Sequence, residues 1–441
     1  MKKHLFYFFL MLISLTGCNA AKANPEAEEV EEGLPVINLS ENVKEVSTLN
    51  LSDAVEKVEI VKLETTDKSL IRRVDKIEVT ENDIFIQNGL TNILHFSRDG
   101  KFLNTIGKVG QGPAEYPQLG DYIVDDSRKE VYIISFTTGI QVYDYEGNHL
   151  RREYKQSVSR LFSTGYYEMF RYDNTWMSKQ NTTVLDGMIS NPKDSLWSFA
   201  VFDDEFNKQY LFKNPAHIGR EEEIVNHGYN NTEMWPNPWW ENTTVFDLYN
   251  DELTIKFPDT DSIYIYKDKA LEPLYAIETN EEKGDYGLTH EMYKLRRAFN
   301  YFDLVNYYRS KDYIYLIGNK DEIIYTYAYS IKDHSVRLWK RQGEIEASGM
   351  QRMIDAIGRD FLNLRCNFIL ANDLNGGSFY ARYRSQGKCW IYPLQPDTED
   401  YEKYVEELKK SPDAPQKQQL LDVIANTGEE DNPILLIAVL E

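Results

Sequence analysis

Residues 84–103 and 131–150 carry one pattern twice, at a constant offset of 47. Ile84-Phe85-Ile86 is followed by Ile93-Leu94-His95-Phe96, then Arg98-Asp99-Gly100-Lys101, then Phe102-Leu103. Val131-Tyr132-Ile133-Ile134 is followed in the same way by Ile140-Gln141-Val142-Tyr143 and Tyr145-Glu146-Gly147-Asn148. Phe85 thus falls on Tyr132, and Gly100 on Gly147. Short apolar runs bounded by turn residues read as strands, and an acidic residue followed by glycine between two of them reads as a tight hairpin with a positive-φ glycine. Such a unit buries its faces only against neighbours of the same kind, which constrains the chain to an array.

Looser copies follow at 196–212, at 253–257 with 262–266 and 274–277, at 313–317 with 323–329 and 336–339, and at 379–383 with 389–392. Six units over roughly 370 residues average about 60 each, above the ~40–50 of a propeller blade, so the surplus belongs in loops. The apolar run 434–440 and the alternating run 55–63 are predicted to share one blade and close the ring. The expected fold is all-β: a six-bladed β-propeller with helical loop insertions, closed by N- and C-terminal strands. The 58 aromatics among the 441 residues (31 Tyr, 20 Phe, 7 Trp) agree with β structure. Helical insertions are expected near 288–308, where apolar residues recur at 292, 295, 299, 302 and 305, and near 401–424, interrupted by Pro412 and Pro415.

Lys2 and Lys3 precede an apolar run from Leu5 to Leu15, too short to span a bilayer as a helix of ~20 residues, so it reads as a leader. It ends in Leu15-Thr16-Gly17-Cys18, which resembles the lipobox of bacterial lipoproteins. That resemblance implies cleavage after residue 17 and acylation of Cys18, anchoring the chain on a membrane. Asn19, in place of the Asp of retained lipoproteins, favours the outer membrane and leaves the leaflet open. Five of the seven residues 26–32 are Glu, so residues 18–33 read as an acidic flexible tether before a propeller at 34–441. The formal net charge of −22 excludes a nucleic-acid binder, because no basic surplus exists to release phosphate counterions.

Val58-Glu59-Ile60-Val61-Lys62-Leu63-Glu64-Thr65-Thr66, the stretch 96–103 with 106–116, and Glu430-Asp431-Asn432-Pro433-Ile434-Leu435 resemble the six-bladed β-propeller lipoproteins of Bacteroidota. The resemblance implies fold and lineage and carries no common reaction. Gly110, Gly112, Pro113, Glu115 and Tyr116 resemble the crossover between blades of NHL-type propellers. They lack the Gly-Lys-Ser/Thr of a phosphate loop and the spacing of a dinucleotide fingerprint.

Little in the sequence points to catalysis. The seven His are scattered at 4, 95, 149, 217, 227, 290 and 334, and no nucleophile elbow is present. Cys366 and Cys389 either pair or stay as buried thiols, and nothing beside them fits zinc. Asp125, Asp126, Asp173, Asp312 and Asp373 stand near the ends of expected inner strands and read more simply as turn caps than as channel ligands. Asp194-Ser195-Leu196 and Asp261-Ser262-Ile263 fit a short O-glycosylation pattern of Bacteroidota. Trp235, Trp239 and Trp240, stiffened by Pro236 and Pro238, form a candidate platform for a sugar ring or a partner's apolar patch. Three roles follow. The first is a membrane-anchored binding protein for a glycan, peptide or protein, without cofactor. The second is a lyase or hydrolase using a divalent cation in the axial channel. The third is a structural subunit of an envelope complex.

Overall fold

The computed structural model describes residues 33–135, 139–153, 169–179, 197–221, 244–257, 260–280, 303–320, 323–342, 368–396 and 398–440. Numbered along the chain, strands β1 (Val36–Asn38), β2 (Val43–Glu45) and β3 (Lys57–Lys62) precede the first complete blade. Blade 1 is β4 (Val74–Val79), β5 (Asp83–Asn88), β6 (Asn92–Ser97) and β7 (Phe102–Ile106). Blade 2 is β8 (Asp121–Asp125), β9 (Glu130–Ser135), β10 (Gly139–Asp144) and β11 (His149–Glu153). Blade 3 is β12 (Met169–Tyr172), β13 (Thr175–Lys179), β14 (Phe199–Phe202) and β15 (Lys208–Phe212). Blade 4 is β16 (Val245–Tyr249), β17 (Glu252–Lys256), β18 (Ser262–Lys267) and β19 (Ala270–Glu278). Blade 5 is β20 (Asp303–Arg309), β21 (Tyr313–Lys320), β22 (Ile323–Ser330) and β23 (Val336–Gln342). After a hairpin of β24 (Ile369–Ala371) and β25 (Ser378–Tyr380), blade 6 joins β26 (Tyr383–Ser385), β27 (Cys389–Leu394) and β28 (Ile434–Val439) to β3. Each blade is antiparallel, and the fold is the expected six-bladed propeller.

Six apolar clusters, one in each seam between neighbouring blades, make up the core. Along β9, Val131 and Ile133 point into the seam with blade 1, while Tyr132 and Ile134 point into the seam with blade 3. Strand β5 does the same with Phe85 on one side and Ile84 and Ile86 on the other. A strand buried on both faces reads as a continuous apolar run, which is why these central strands are legible in the sequence. Each such side chain contributes about 1.5–3 kcal/mol by leaving water.

The offset of 47 has a physical origin. Gly100 and Gly147 take φ values of +88° and +86° in their hairpins, and each sits against the outer strand of the preceding blade. A Cβ on Gly100 would lie 2.3 Å from the Lys62 carbonyl oxygen, and one on Gly147 would lie 2.8 Å from that of Thr105. In blade 3 the same hairpin, Asp203 to Asn207, places Phe206 in the glycine's seat at φ +60°. Its ring stacks on Trp176 with centroids 4.9 Å apart, and this burial holds a backbone conformation a bulky residue otherwise avoids.

Closure is made as expected: β28 pairs with β3 along its length, from Ile434 opposite Lys62 to Val439 opposite Lys57. Asn432 locks the joint, accepting from Ile71 N and donating to Glu64 O and Ser69 O, all at 2.8 Å. The segment ahead of β3 adds something the sequence did not announce. Strand β1 pairs in parallel with β19 on the outer edge of blade 4, and β2 with β23 on blade 5. Asn50 then bridges to Ala371 at blade 6. Residues 35–63 therefore form a belt over three successive blades, and the belt buries Ile37 and Leu39.

Two α-helices are present among the described residues, α1 (Glu399–Lys410) and α2 (Lys417–Ala425), and the break between them contains Pro412 and Pro415. Thr398 caps α1 by accepting from Tyr401 N. The other expected helix is corrected in part. Residues 303–308 belong to strand β20, while 281–302 lie outside the described residues. The spacing of Phe302 and Val305 continued a helical pattern into a segment whose alternating partners come from β21, so tertiary pairing decides it. No helix among the described residues is long and apolar enough to cross a membrane.

Candidate functional site

The innermost strands β4, β8, β12, β16, β20 and β26 surround the axis. Each has one edge with no strand beside it, so its N–H and C=O groups need other partners. Polar side chains on these strands supply many of them. Asp121 accepts from Tyr122 N at 2.7 Å and from Met169 N of blade 3 at 3.4 Å. Lys76 of blade 1 donates to Tyr122 O at 2.8 Å and pairs with both Asp121 and Glu78 at 3.3 Å. Ser385 of blade 6 accepts from Val79 N of blade 1 at 2.7 Å and donates to Glu78 at 2.9 Å.

On the opposite side of the ring, Arg384 of blade 6 reaches two blades at once. It donates to Asp247 Oδ1 of blade 4 at 2.8 Å, to Asn306 Oδ1 of blade 5 at 2.8 Å and to Tyr307 O at 2.6 Å. Its guanidinium lies 3.6 Å above the Tyr308 ring. Arg309 takes the other carboxylate oxygen of Asp247 at 3.0 Å. Between blades 3 and 4 the link is aromatic, with the Phe170 and Phe246 centroids 5.1 Å apart. The axial residues thus sew the ring together. Burial raises the Glu78 carboxyl above its ordinary range, and Lys76 and Ser385 pull it back in part. Glu78, Asp121 and Asp247 are each held by a cation, so a metal ion binding there would have to displace Lys76, Arg309 or Arg384. Among the described residues no group of three or more His, Cys, Asp or Glu stands close enough together to hold a metal.

None of these axial residues was singled out from the sequence. Their signal is a short run broken by charges just before each apolar unit, such as Val-Asp-Lys-Ile-Glu-Val at 74–79. Of the aspartates singled out, Asp125, Asp126, Asp173 and Asp312 stand as expected at the ends of innermost strands or in the turns that follow them, and Asp373 lies in the hairpin of β24 and β25. Asp125 ends β8, 3.3 Å from Arg171 Nε. Asp126 pairs with Lys129 at 2.7 Å, and Asp173 shares a two-residue turn with Asn174, both at positive φ. Asp312 sits in the turn between β20 and β21, and Asp373 accepts from Ser52 N at 3.0 Å, fastening the belt. His95 stacks on Phe85 at 4.4 Å and pairs with Asp83 at 2.7 Å, as part of the packing. Cys389 is buried in the seam of blades 6 and 1, and burial pushes its thiol up to about 12.

The connections between strands divide by face. Within a blade, the turns from first to second and from third to fourth strand lie at one end, and all run two to five residues. The first-to-second turns meet around the axis: Tyr172 donates to Asp251 O at 3.0 Å, and a Cβ on Gly387 would lie 2.6 Å from Leu248 O. Among the described residues, the connections 63–73, 107–120 and 395–433 leave from and return to the other end, and each is longer than any of these turns. Gly110, Gly112, Pro113, Glu115 and Tyr116 lie in the connection from β7 to β8 on this face, where Tyr116 is fully buried. Trp235, Trp239 and Trp240 fall between β15 and β16 and lie outside the described residues, as do Cys18, Cys366 and the 194–196 pattern.

A family profile described as "Domain of unknown function (DUF4934)" matches residues 34–439. Among solved structures, the chain is similar to a Bacteroides fragilis protein whose name makes it a candidate exported protein. The two share 17% identity over 92% of this chain and 100% of that one, with a TM-score of 0.57, which bears on the fold alone. The WD40 repeats of RRP9 share 9% identity over 88% and 99% of the two chains, with a TM-score of 0.37. A Bacteroides thetaiotaomicron protein of unknown function shares 9% over 55% and 56%, with a TM-score of 0.31. The last two superpose too loosely to carry an argument. No curated protein matches the chain.

Proposed function

The chain belongs to the DUF4934 family, and from that premise we propose an exported, lipid-anchored binding protein that holds a glycan, peptide or protein partner on its long-connection face. The observation that carries this is the one-sidedness of the ring. Tight turns leave one face little room to vary, whereas loops on a rigid scaffold can change without disturbing the packing beneath them. Trp235, Trp239 and Trp240 fall in sequence between β15 and β16, outside the described residues, and their service on this face is part of the proposal. An NHL-like lineage and an outer-membrane address through Cys18 complete the proposal, supported by the lipobox resemblance and by the name of the Bacteroides fragilis relative.

Binding is tested by thermal shift on the protein beginning at residue 20, screened against glycans and peptides. A ligand at 100 times its Kd adds about 2.7 kcal/mol of stability. Replacing Trp239 or Trp240 by Ala is expected to abolish the shift while leaving the melting temperature of the free protein within a few degrees. Loss of the fold in those variants instead assigns the indoles to packing. A flat screen together with a co-purifying envelope protein favours the structural-subunit role. Anchoring is tested separately: Cys18→Ser is expected to release the protein from membranes and to stop incorporation of labelled fatty acid.

A further inference from the structure

Residues 108–116, on the long-connection face, form a loop closed on itself. Gly110 N bonds to Tyr116 O at 2.9 Å, and Tyr116 N to Lys108 O at 3.2 Å. Its centre holds a carboxylate. Glu115 Oε2 accepts from Gly112 N at 2.9 Å, and Oε1 lies 3.1 Å from Lys108 Nζ. A Cβ on Gly110 would fall 1.9 Å from Oε2, so the missing side chain there is the space the carboxylate fills. The Gly112 N–H and the Lys108 ammonium hold the Glu115 carboxyl below its ordinary range. The Gly112 N–H and, more weakly, that of Gln111 converge on this anion as in a nest, while Lys108 takes its second oxygen.

An apolar seat adjoins it. Tyr116 donates to Thr91 O at 3.1 Å and Leu119 N to Leu90 O at 3.2 Å, docking the loop onto the turn between β5 and β6. Asn88 extends the connection by donating to Leu70 O at 3.1 Å. Leu70, Leu90 and Val109, 44%, 44% and 40% exposed, are three of the seven exposed large apolar residues among those described, and these backbone bonds join the segments that carry them. A nest for a carboxylate beside an exposed apolar patch is the pairing that captures a chain terminus.

We propose that this loop is a receptor for a peptide C-terminus ending in an apolar residue, with Glu115 as the internal occupant that the ligand displaces. The terminal carboxylate takes the Gly112 N–H and the Lys108 ammonium, and the last side chain lies on Leu90 and Val109. The proposal rests on the reading of this face as the binding face and names one ligand class for it. Removing an internal competitor raises apparent affinity by the inverse of the fraction of time the site was free.

The test compares wild type with Glu115→Ala, titrating the tripeptide Ala-Ala-Leu as free acid and as C-terminal amide by calorimetry. Glu115→Ala is expected to bind the free acid about tenfold or more tightly than wild type and to leave the amide unbound. Adding Lys108→Ala is expected to weaken that binding again. Formate is expected to raise the melting temperature of Glu115→Ala and leave wild type unchanged. Glu115→Gln, whose amide oxygen still fills the site, is expected to bind the free acid no more tightly than wild type, and if the alanine variant does not fold, Glu115→Val is read in its place. Equal binding of acid and amide overturns the proposal, as does formate rescue without any peptide binding. If a partner captured on this face is held equally by wild type and Glu115→Ala, the binding face stands and this ligand assignment falls.

Discussion

The two faces of the ring are built from the same blades and are specified in different ways. On the tight-turn face, backbones of different blades approach so closely that Gly100, Gly147 and Gly387 have no room for a side chain. On the long-connection face, Gly89 also has positive φ, at +60°, with nothing within 4 Å of where its Cβ would be, and the crowded Gly107 and Gly110 meet side chains (Ile133, Tyr116, Glu115) rather than another blade's backbone. One face is a framework in which each turn fits the blade beside it. The other is a margin where length and composition vary without contradicting the fold. The lesson is that repetition in the sequence marks the framework face, so function has to be sought where the repetition fails.

The largest expected effect removes the contrast altogether. Deleting residues 434–441 strips blade 6 of the strand between β27 and β3 and leaves both faces without a closed ring, so no cooperative melting transition is expected. Asp247→Ala comes next. It leaves Arg309, 6% exposed, and Arg384 facing each other without their shared carboxylate, and chemical denaturation should show a loss of about 3–5 kcal/mol. The sharpest comparison is between glycines. Gly89→Ala should cost about 1–2 kcal/mol for its left-handed backbone alone. Gly100→Ala adds the collision with Lys62 O and should cost at least twice as much; equal losses would erase the distinction between the faces. The smallest effect concerns pH. Glu78 has a folded value above its ordinary 4.5, so the folded state binds its proton more tightly and this group's stabilisation is lost as pH rises through the folded value. Stability of wild type minus that of Glu78→Gln, followed by melting from pH 7 down towards 4.5, should therefore change in favour of wild type.

The sequence is most legible where both faces of a strand are buried. The runs at 84–86 and 131–134 name their strands because every residue enters one seam or the other. The innermost strands escape that reading because Lys76, Glu78, Asp121 and Asp247 break the apolar pattern to serve the unpaired inner edge. The belt escapes it for another reason. Its strands β1 and β2 are three residues each, too short for alternation to show, and their partners lie in blades 4 and 5. Phe206 hides a hairpin of the repeat by occupying a glycine's seat. The loop at 108–116 reads in the sequence as a structural crossover, from Gly110, Gly112, Pro113, Glu115 and Tyr116, whereas the carboxylate held in its centre follows from geometry alone.

The belt also sets an order in time. Val36 pairs with Ala276, Val43 with Val336 and Lys57 with Val439, so the strands made early in synthesis find their partners late. At roughly 5–20 residues per second, tens of seconds separate β3 from the completion of β28. Throughout that interval blade 6 lacks the strand that joins β27 to β3, so the ring cannot close. A nascent chain of this design becomes a ring only after its first and last strands have met.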